Sequence, residues 1–147
     1  MKARTFVFIP IIMVAVAVMF IFSSCENGVT PSLYGTWVNS DYNGGGDSYF
    51  GKVDFIDNGD GTITEKLYEN DFDTVPVNTV IATLTKEYTD SSGNLFAKFE
   101  ADYGGGLSYI LSKVHADNMT CEANWSDVSY PTEINSGVAE YNIYYRQ

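Results

Sequence analysis

Residues 90–103 of the chain read DSSGNLFAKFEADY, a cluster of turn residues followed by a regular alternation of side chains. Leu95, Ala97, Phe99 and Ala101 take every second position, and the positions between them hold Phe96, Lys98, Glu100 and Asp102. A period of two residues puts the two sets on opposite faces of a β-strand. The Gly93-Asn94 pair ahead of it favours a tight turn, because both residues accept a positive φ. The segment therefore predicts a turn leading into a strand with one apolar face.

The same pattern covers the chain from Tyr34 onward, with runs of alternation separated by turn residues and no helical period. The predicted strands are residues 34–39, 48–57, 62–69, 75–89, 95–103, 107–114, 119–126 and 138–146. On the fourth strand we expect Val80, Ala82, Leu84 and Tyr88 to share one face. Sequential strands joined by hairpins predict an all-β, eight-stranded antiparallel up-and-down barrel, in which closure removes the exposed strand edges.

The N-terminus has a different character. A short basic start containing Lys2 and Arg4 precedes an apolar run from Phe6 to Phe22, which ends at Ser23-Ser24-Cys25. This is the layout of a secretory signal peptide. The alternative is a transmembrane anchor, but the apolar run is at the lower length limit for a spanning helix and contains Pro10. We therefore predict a signal peptide over residues 1–24, a short polar tether over 25–32 and a barrel domain over 33–147.

Loss of the signal peptide removes Lys2 and Arg4, which leaves six basic residues against 19 acidic ones and a net charge of −13. Such a surface repels nucleic acid and anionic lipid headgroups, so no nucleic-acid partner is expected. It is compatible with a cationic partner, or with a solvated acidic surface that has no specific partner.

The sequence offers few residues suited to catalysis or metal binding. His115 is the sole histidine, which leaves no histidine pair for a zinc site and places no triad. Asp57-Asn58-Gly59-Asp60-Gly61 resembles a calcium loop only in part, and a hairpin turn explains it better. Cys121 has no basic cluster beside it in the sequence and is interpreted as a buried small residue. We predict no catalytic residue, no metal site, no cofactor and no enzyme activity.

The order of the strands predicts two different ends for the barrel. Turns 58–61, 90–94 and 115–118 share the closed end, and loops 41–47, 70–74, 103–106 and 127–136 share the mouth. Two of the mouth loops contain glycine triplets. Flexible loops at one end of a rigid scaffold are a common place for binding, although they also serve as plain connections. The candidate ligand rim consists of Tyr42, Phe72, Tyr103 and Tyr130.

Three parts of the sequence resemble known families. Ser23-Ser24-Cys25 resembles the lipobox of bacterial lipoproteins. Leu33-Tyr34-Gly35-Thr36-Trp37 resembles the Gly-x-Trp signature of lipocalins and other calycins. Much of the remaining chain is similar to spirochaete-type lipoproteins with lipocalin-like barrels, at residues 88–94, 130–134 and 141–146.

These resemblances imply that Cys25 carries fatty acyl chains such as palmitate and anchors the protein to a membrane of the cell envelope. The outer membrane is expected, at its periplasmic or surface face. They also imply that Trp37 closes the barrel floor beneath Arg146. The implied function is a binding barrel for a small apolar or aromatic ligand. The alternative is a surface interaction protein, such as an adhesin or an inhibitor of a cationic protein, with a filled barrel. An interior cavity of about 300 Å³ or more distinguishes the first from the second.

Overall fold

The computed structural model describes residues 29–39 and 50–147. The predicted signal peptide, Cys25 and Tyr42 lie outside these described residues. Eight strands follow one another: β1 (Gly35–Val38), β2 (Lys52–Asp57), β3 (Thr62–Tyr68), β4 (Asn78–Thr89), β5 (Leu95–Asp102), β6 (Leu107–Val114), β7 (Thr120–Ser126) and β8 (Tyr141–Arg146).

The strands form a closed barrel in chain order, each antiparallel to the next. β8 pairs with β1 to complete the ring, with Trp37 opposite Arg146 and Val38 opposite Tyr145. The predicted all-β, eight-stranded up-and-down barrel is confirmed, and its architecture is consistent with a calycin-like fold. Over the same two ranges, no helix is long and apolar enough to cross a membrane.

Inward side chains from several strands meet near the closed end and form one part of the core. Leu33 and Trp37 are fully buried there, and the indole Nε1 donates a hydrogen bond to the Leu33 carbonyl at 2.6 Å. Further inward positions are small or apolar and also buried: Ile63, Ala82, Ala97, Val114 and Cys121. These buried side chains contribute to the stability of a barrel that has no disulfide among its described residues.

One expectation about β4 is wrong. Leu84 lies opposite Phe99, but Lys86 lies opposite Lys98, so Thr85 is an extra residue that forms a β-bulge. The extra residue reverses the alternation that follows it. Tyr88 therefore faces outward, 41% exposed, and stacks on Phe96 with ring centroids 5.1 Å apart. It does not share a face with the inward residues of β4.

Candidate functional site

A cavity of about 420 Å³ occupies the half of the barrel nearer the mouth. Among the described residues, its walls carry six aromatic side chains: Phe50, Phe55, Phe99, Tyr103, Trp125 and Tyr144. The space exists because several of the other inward positions are small, namely Ser108, Ser112 and Ala123. An eight-stranded barrel is just wide enough to be filled by its side chains, so small residues facing inward leave room for a ligand.

Glu65 is a buried acidic residue in the wall of this cavity. It lies on β3 between the inward-facing Ile63 and Leu67, and it is only 2% exposed. Its Oε2 accepts a hydrogen bond from the Tyr103 hydroxyl at 2.8 Å. Its Oε1 is buried without a hydrogen-bond partner among the residues described. Burial raises the pKa of Glu65 to about 7, although the bond from Tyr103 opposes that rise.

Tyr103 reaches Glu65 from the loop that follows β5. Burial, and next the negative charge of Glu65, raise the pKa of Tyr103 well above its usual value. The phenol therefore remains protonated and acts as the donor in this hydrogen bond. Nearer the mouth, Ser108 Oγ donates to Asp127 Oδ1 at 2.9 Å. Glu65 and Asp127 are the acidic residues of the cavity wall, and the described wall contains no lysine, arginine or histidine.

The outcome of the rim prediction differs among the four candidate residues. Tyr103 lines the cavity, as just described. Phe72 lies in the mouth loop between β3 and β4, 78% exposed, and is not part of the cavity wall. Tyr42 lies outside the described residues, so its rim position stays a prediction.

Tyr130 does not lie at the rim. Its hydroxyl donates to Glu100 Oε1 at 2.8 Å, and its ring makes an edge contact with Tyr109, with centroids 5.2 Å apart. Lys98 lies over the same ring, 5.5 Å from its centroid. These partners point outward from β5 and β6, so the structure places Tyr130 on the outer face of the barrel. The loop before β8 folds back along the wall instead of standing above the mouth, because Tyr130 finds both a hydrogen-bond acceptor and an aromatic partner there.

The structure brings Trp37 and Arg146 together at the closed end, with the guanidinium carbon 4.1 Å from the indole centroid. The guanidinium also donates to the Tyr34 carbonyl at 3.0 Å and to the Asn118 carbonyl and Oδ1, both at 2.8 Å. A further bond goes to the carbonyl of Ser32, the last residue of the predicted tether. Arg146 thus connects three parts of the closed end: the segment that leads into β1, the β6–β7 turn and the end of β8.

Glu65 was not singled out from the sequence. The signal that points to it is its place in the apolar row of β3, where period-two alternation turns a charged residue inward. No sequence pattern points to the hydrogen bond between Glu65 and Tyr103, because 38 positions separate the two residues.

Other chemistry is sparse in the part of the chain that the structure describes. No group of three or more histidine, cysteine, aspartate or glutamate residues there is arranged to hold a metal ion. Cys121 is buried, and burial raises the pKa of its thiol to about 12, which makes it a poor nucleophile at neutral pH.

No protein-family model, no curated protein and no solved structure matches the chain.

Proposed function

We propose that this chain is an exported, lipid-anchored, lipocalin-like binding protein of the spirochaete lipoprotein type, and not an enzyme. Its barrel holds a small, mostly apolar or aromatic ligand. The cavity carries this proposal, because its volume of about 420 Å³ lies within the usual range for ligand sites, about 300–1,000 Å³. Its aromatic walls, with a few polar groups among them, match the composition typical of such sites.

A second candidate is a surface protein, an adhesin or an inhibitor, that binds a cationic protein partner. The net charge of −13 after signal removal and the exposed Phe72 at the mouth favour it. The open interior argues against it as the main function, since a barrel used only as a scaffold gains stability when its interior is packed.

Native mass spectrometry of the protein purified from its own membranes tests the cavity. We expect a small molecule to accompany the wild-type protein and to be absent from Ala123→Phe, which fills the cavity. Ala116→Phe changes an exposed alanine in a closed-end turn and serves as the matched control. A wild-type protein that carries no small molecule and binds no aromatic probe in solution would contradict the proposal.

The anchoring part of the proposal rests on Cys25 following Ser23-Ser24 at the end of the apolar run. Ser32 is bonded to Asn118 and Arg146, so the predicted tether joins the barrel at its closed end. The mouth is then the end farthest from the lipid and open to ligands in the envelope. The proposed site is the outer membrane, at its periplasmic or surface face.

Metabolic labelling with a radioactive fatty acid tests the anchor. We expect label on the wild-type protein, and we expect Cys25→Ser to abolish the label and either release the protein from the membrane fraction or stall its processing. Cys121→Ser is the matched control, because that cysteine lies inside the barrel. Wild-type protein without label would exclude lipidation.

A further inference from the structure

We propose that the cavity is selective for a protonated amine carried on a small aromatic or alkyl body, with the ammonium group bound at Glu65. This inference rests on the proposed ligand-binding function and specifies the chemistry of the ligand. It starts from one buried oxygen, Glu65 Oε1, which has no hydrogen-bond partner among the described residues, on a side chain that lines the cavity.

A buried acceptor without a donor is costly, and native proteins leave few of them. Tyr103 supplies a donor to Oε2 and holds the carboxyl group in place, so the second oxygen remains available to a ligand. An ammonium group provides up to three N–H donors together with the opposite charge. Such a ligand satisfies the hydrogen bonding and the electrostatics of Glu65 at the same time.

The charge of the cavity wall determines whether a cationic or an anionic ligand head group is favoured. Glu65 and Asp127 are acidic, and the described part of the wall contains no basic side chain. A ligand with a carboxylate, such as a fatty acid, would therefore find no countercharge and would lie near like charge. Tyr103, the tyrosine bonded to Glu65, stays neutral because burial raises its pKa well above the usual value, so it does not compensate for the charge of Glu65. A cationic head group is the complement of this surface.

The aromatic walls suit the rest of the ligand. Phe55 and Phe99 meet edge to face beside Glu65, with ring centroids 5.9 Å apart. Phe55 is also directly across from Glu65 in the β2–β3 register. Aromatic faces bind both rings and cations, the latter through the negative potential of the π-system. The volume of the cavity is near the lower end of the usual range, which limits the ligand to a small molecule.

Three probes that share one ring and differ in head group test the inference: phenethylamine, phenethyl alcohol and phenylpropionate. Their binding to the full-length lipoprotein in lipid nanodiscs is measured by isothermal titration calorimetry. We expect the amine to bind at least about tenfold more tightly than the alcohol, because only the ammonium group brings an opposite charge and up to three N–H donors to Glu65. We expect the carboxylate to bind more weakly than both.

Glu65→Gln keeps the shape of the side chain and removes its charge. It should weaken amine binding at least about tenfold and leave alcohol binding unchanged. Glu100→Gln is the matched control, because Glu100 also accepts a tyrosine hydroxyl at 2.8 Å but lies on the outer face. It removes the same charge from the protein and should leave all three affinities unchanged.

If Glu65→Gln fails to fold, the wild-type pH profile decides instead. Because the pKa of Glu65 is about 7, lowering the pH by about two units from neutrality should weaken amine binding more than about tenfold and leave the alcohol unaffected. Equal binding of amine and alcohol that depends neither on Glu65 nor on pH overturns the amine inference and leaves the binding function intact. Preferred binding of the carboxylate likewise overturns the amine inference and leaves the binding function intact. Failure of all three probes to bind overturns the amine inference, and together with the absence of a co-purified small molecule it overturns the binding function as well.

Discussion

Arg146 combines two kinds of contact at the closed end. It covers the indole of Trp37, and its guanidinium donates to the backbone carbonyls of Ser32, Tyr34 and Asn118. A cation over an aromatic face contributes about 0.5–2 kcal/mol, and each of these half-buried acceptors left unpaired costs about 1 kcal/mol, the low end of the range for buried groups. The carbonyl contacts therefore outweigh the ring contact.

We predict that Arg146→Ala lowers the free energy of unfolding by about 2–4 kcal/mol, because it leaves several carbonyl groups unpaired. Most of that loss should persist in a Trp37→Leu background, and Arg146→Lys should recover less than half of it, since an ammonium group does not reproduce the guanidinium fork. Urea denaturation of the variants measures these differences. Full recovery by lysine would mean that the contact with Trp37 is the dominant one.

Gly35, two residues before Trp37, belongs to the same arrangement. Its φ is +127°, and a Cβ atom there would lie 2.6 Å from Arg146 Nη1. The glycine of the Gly-x-Trp sequence thus provides the space that the guanidinium occupies. We predict that Gly35→Ala destabilises the barrel by more than about 1 kcal/mol. Its cost should be smaller in an Arg146→Ala background, because the steric part is then removed. Strictly additive losses in thermal or urea unfolding would refute this coupling.

At the scale of elements, the loop from Asp127 to Glu140 is held to the outer wall by a few polar contacts. Asn124 on β7 is 3% exposed, and its side chain bonds the Asn135 amide at 2.7 Å and the carbonyls of Asn135 and Glu140, each at 3.1 Å. Tyr130 makes the second attachment, to Glu100 and Thr85. These two sets of side-chain contacts lie at separate places along the loop.

We predict that Asn124→Ala speeds amide hydrogen exchange in residues 135–140 at least about tenfold and leaves β2 and β3 protected, because it removes three of the bonds that hold that part of the loop. Tyr130→Phe should loosen residues 128–132 and spare 135–140. Exchange followed by mass spectrometry separates the two segments. Opening of the whole barrel in either variant would show that the loop is part of the cooperative core.

At the scale of the whole molecule, Glu65 couples stability to pH. Its pKa is about 7 in the folded protein against an ordinary value of 4.5, because burial disfavours the charged form. Between these values the folded state holds a proton that the unfolded chain releases, so stability falls as pH rises through the window. The favourable contribution is complete below about pH 4.5, is lost progressively above it, and amounts to about 3 kcal/mol.

We predict that the free energy of unfolding of Glu65→Gln, relative to wild type, increases by about 3 kcal/mol between pH 4 and pH 8, because glutamine does not titrate. Taking the difference cancels the other carboxyl groups, such as Glu122, whose pKa is lowered by its bonds to His115 and Tyr141 in spite of partial burial. Denaturant titrations at several pH values provide the measurement. A difference that does not change with pH would mean that Glu65 keeps an ordinary pKa in the folded barrel.

The strand order could be predicted because its causes are local. Alternation such as that of residues 95–102, and turn residues such as Asn58-Gly59, act within a few positions of the chain. The resemblance to lipocalins supplied Trp37 and Arg146 as a pair. The strand count explains why they meet, since an even number of sequential antiparallel strands returns the last one to the end where the first began. The bulge at Thr85 was not predicted, because a single extra residue leaves no mark in a period-two pattern.

The sequence by itself determined eight strands, their order and the closure of the barrel, because the alternation of apolar and polar residues and the turn-forming residues act within short segments. Only the tertiary structure decided that small side chains on β6 and β7 leave a cavity, that Glu65 points into it, and that Tyr130 lies outside. These features depend on the volumes and hydrogen-bond partners of residues far apart in the chain. The pKa of Glu65 follows from the same cause, since the surroundings that strip water from its carboxyl group come from several different strands.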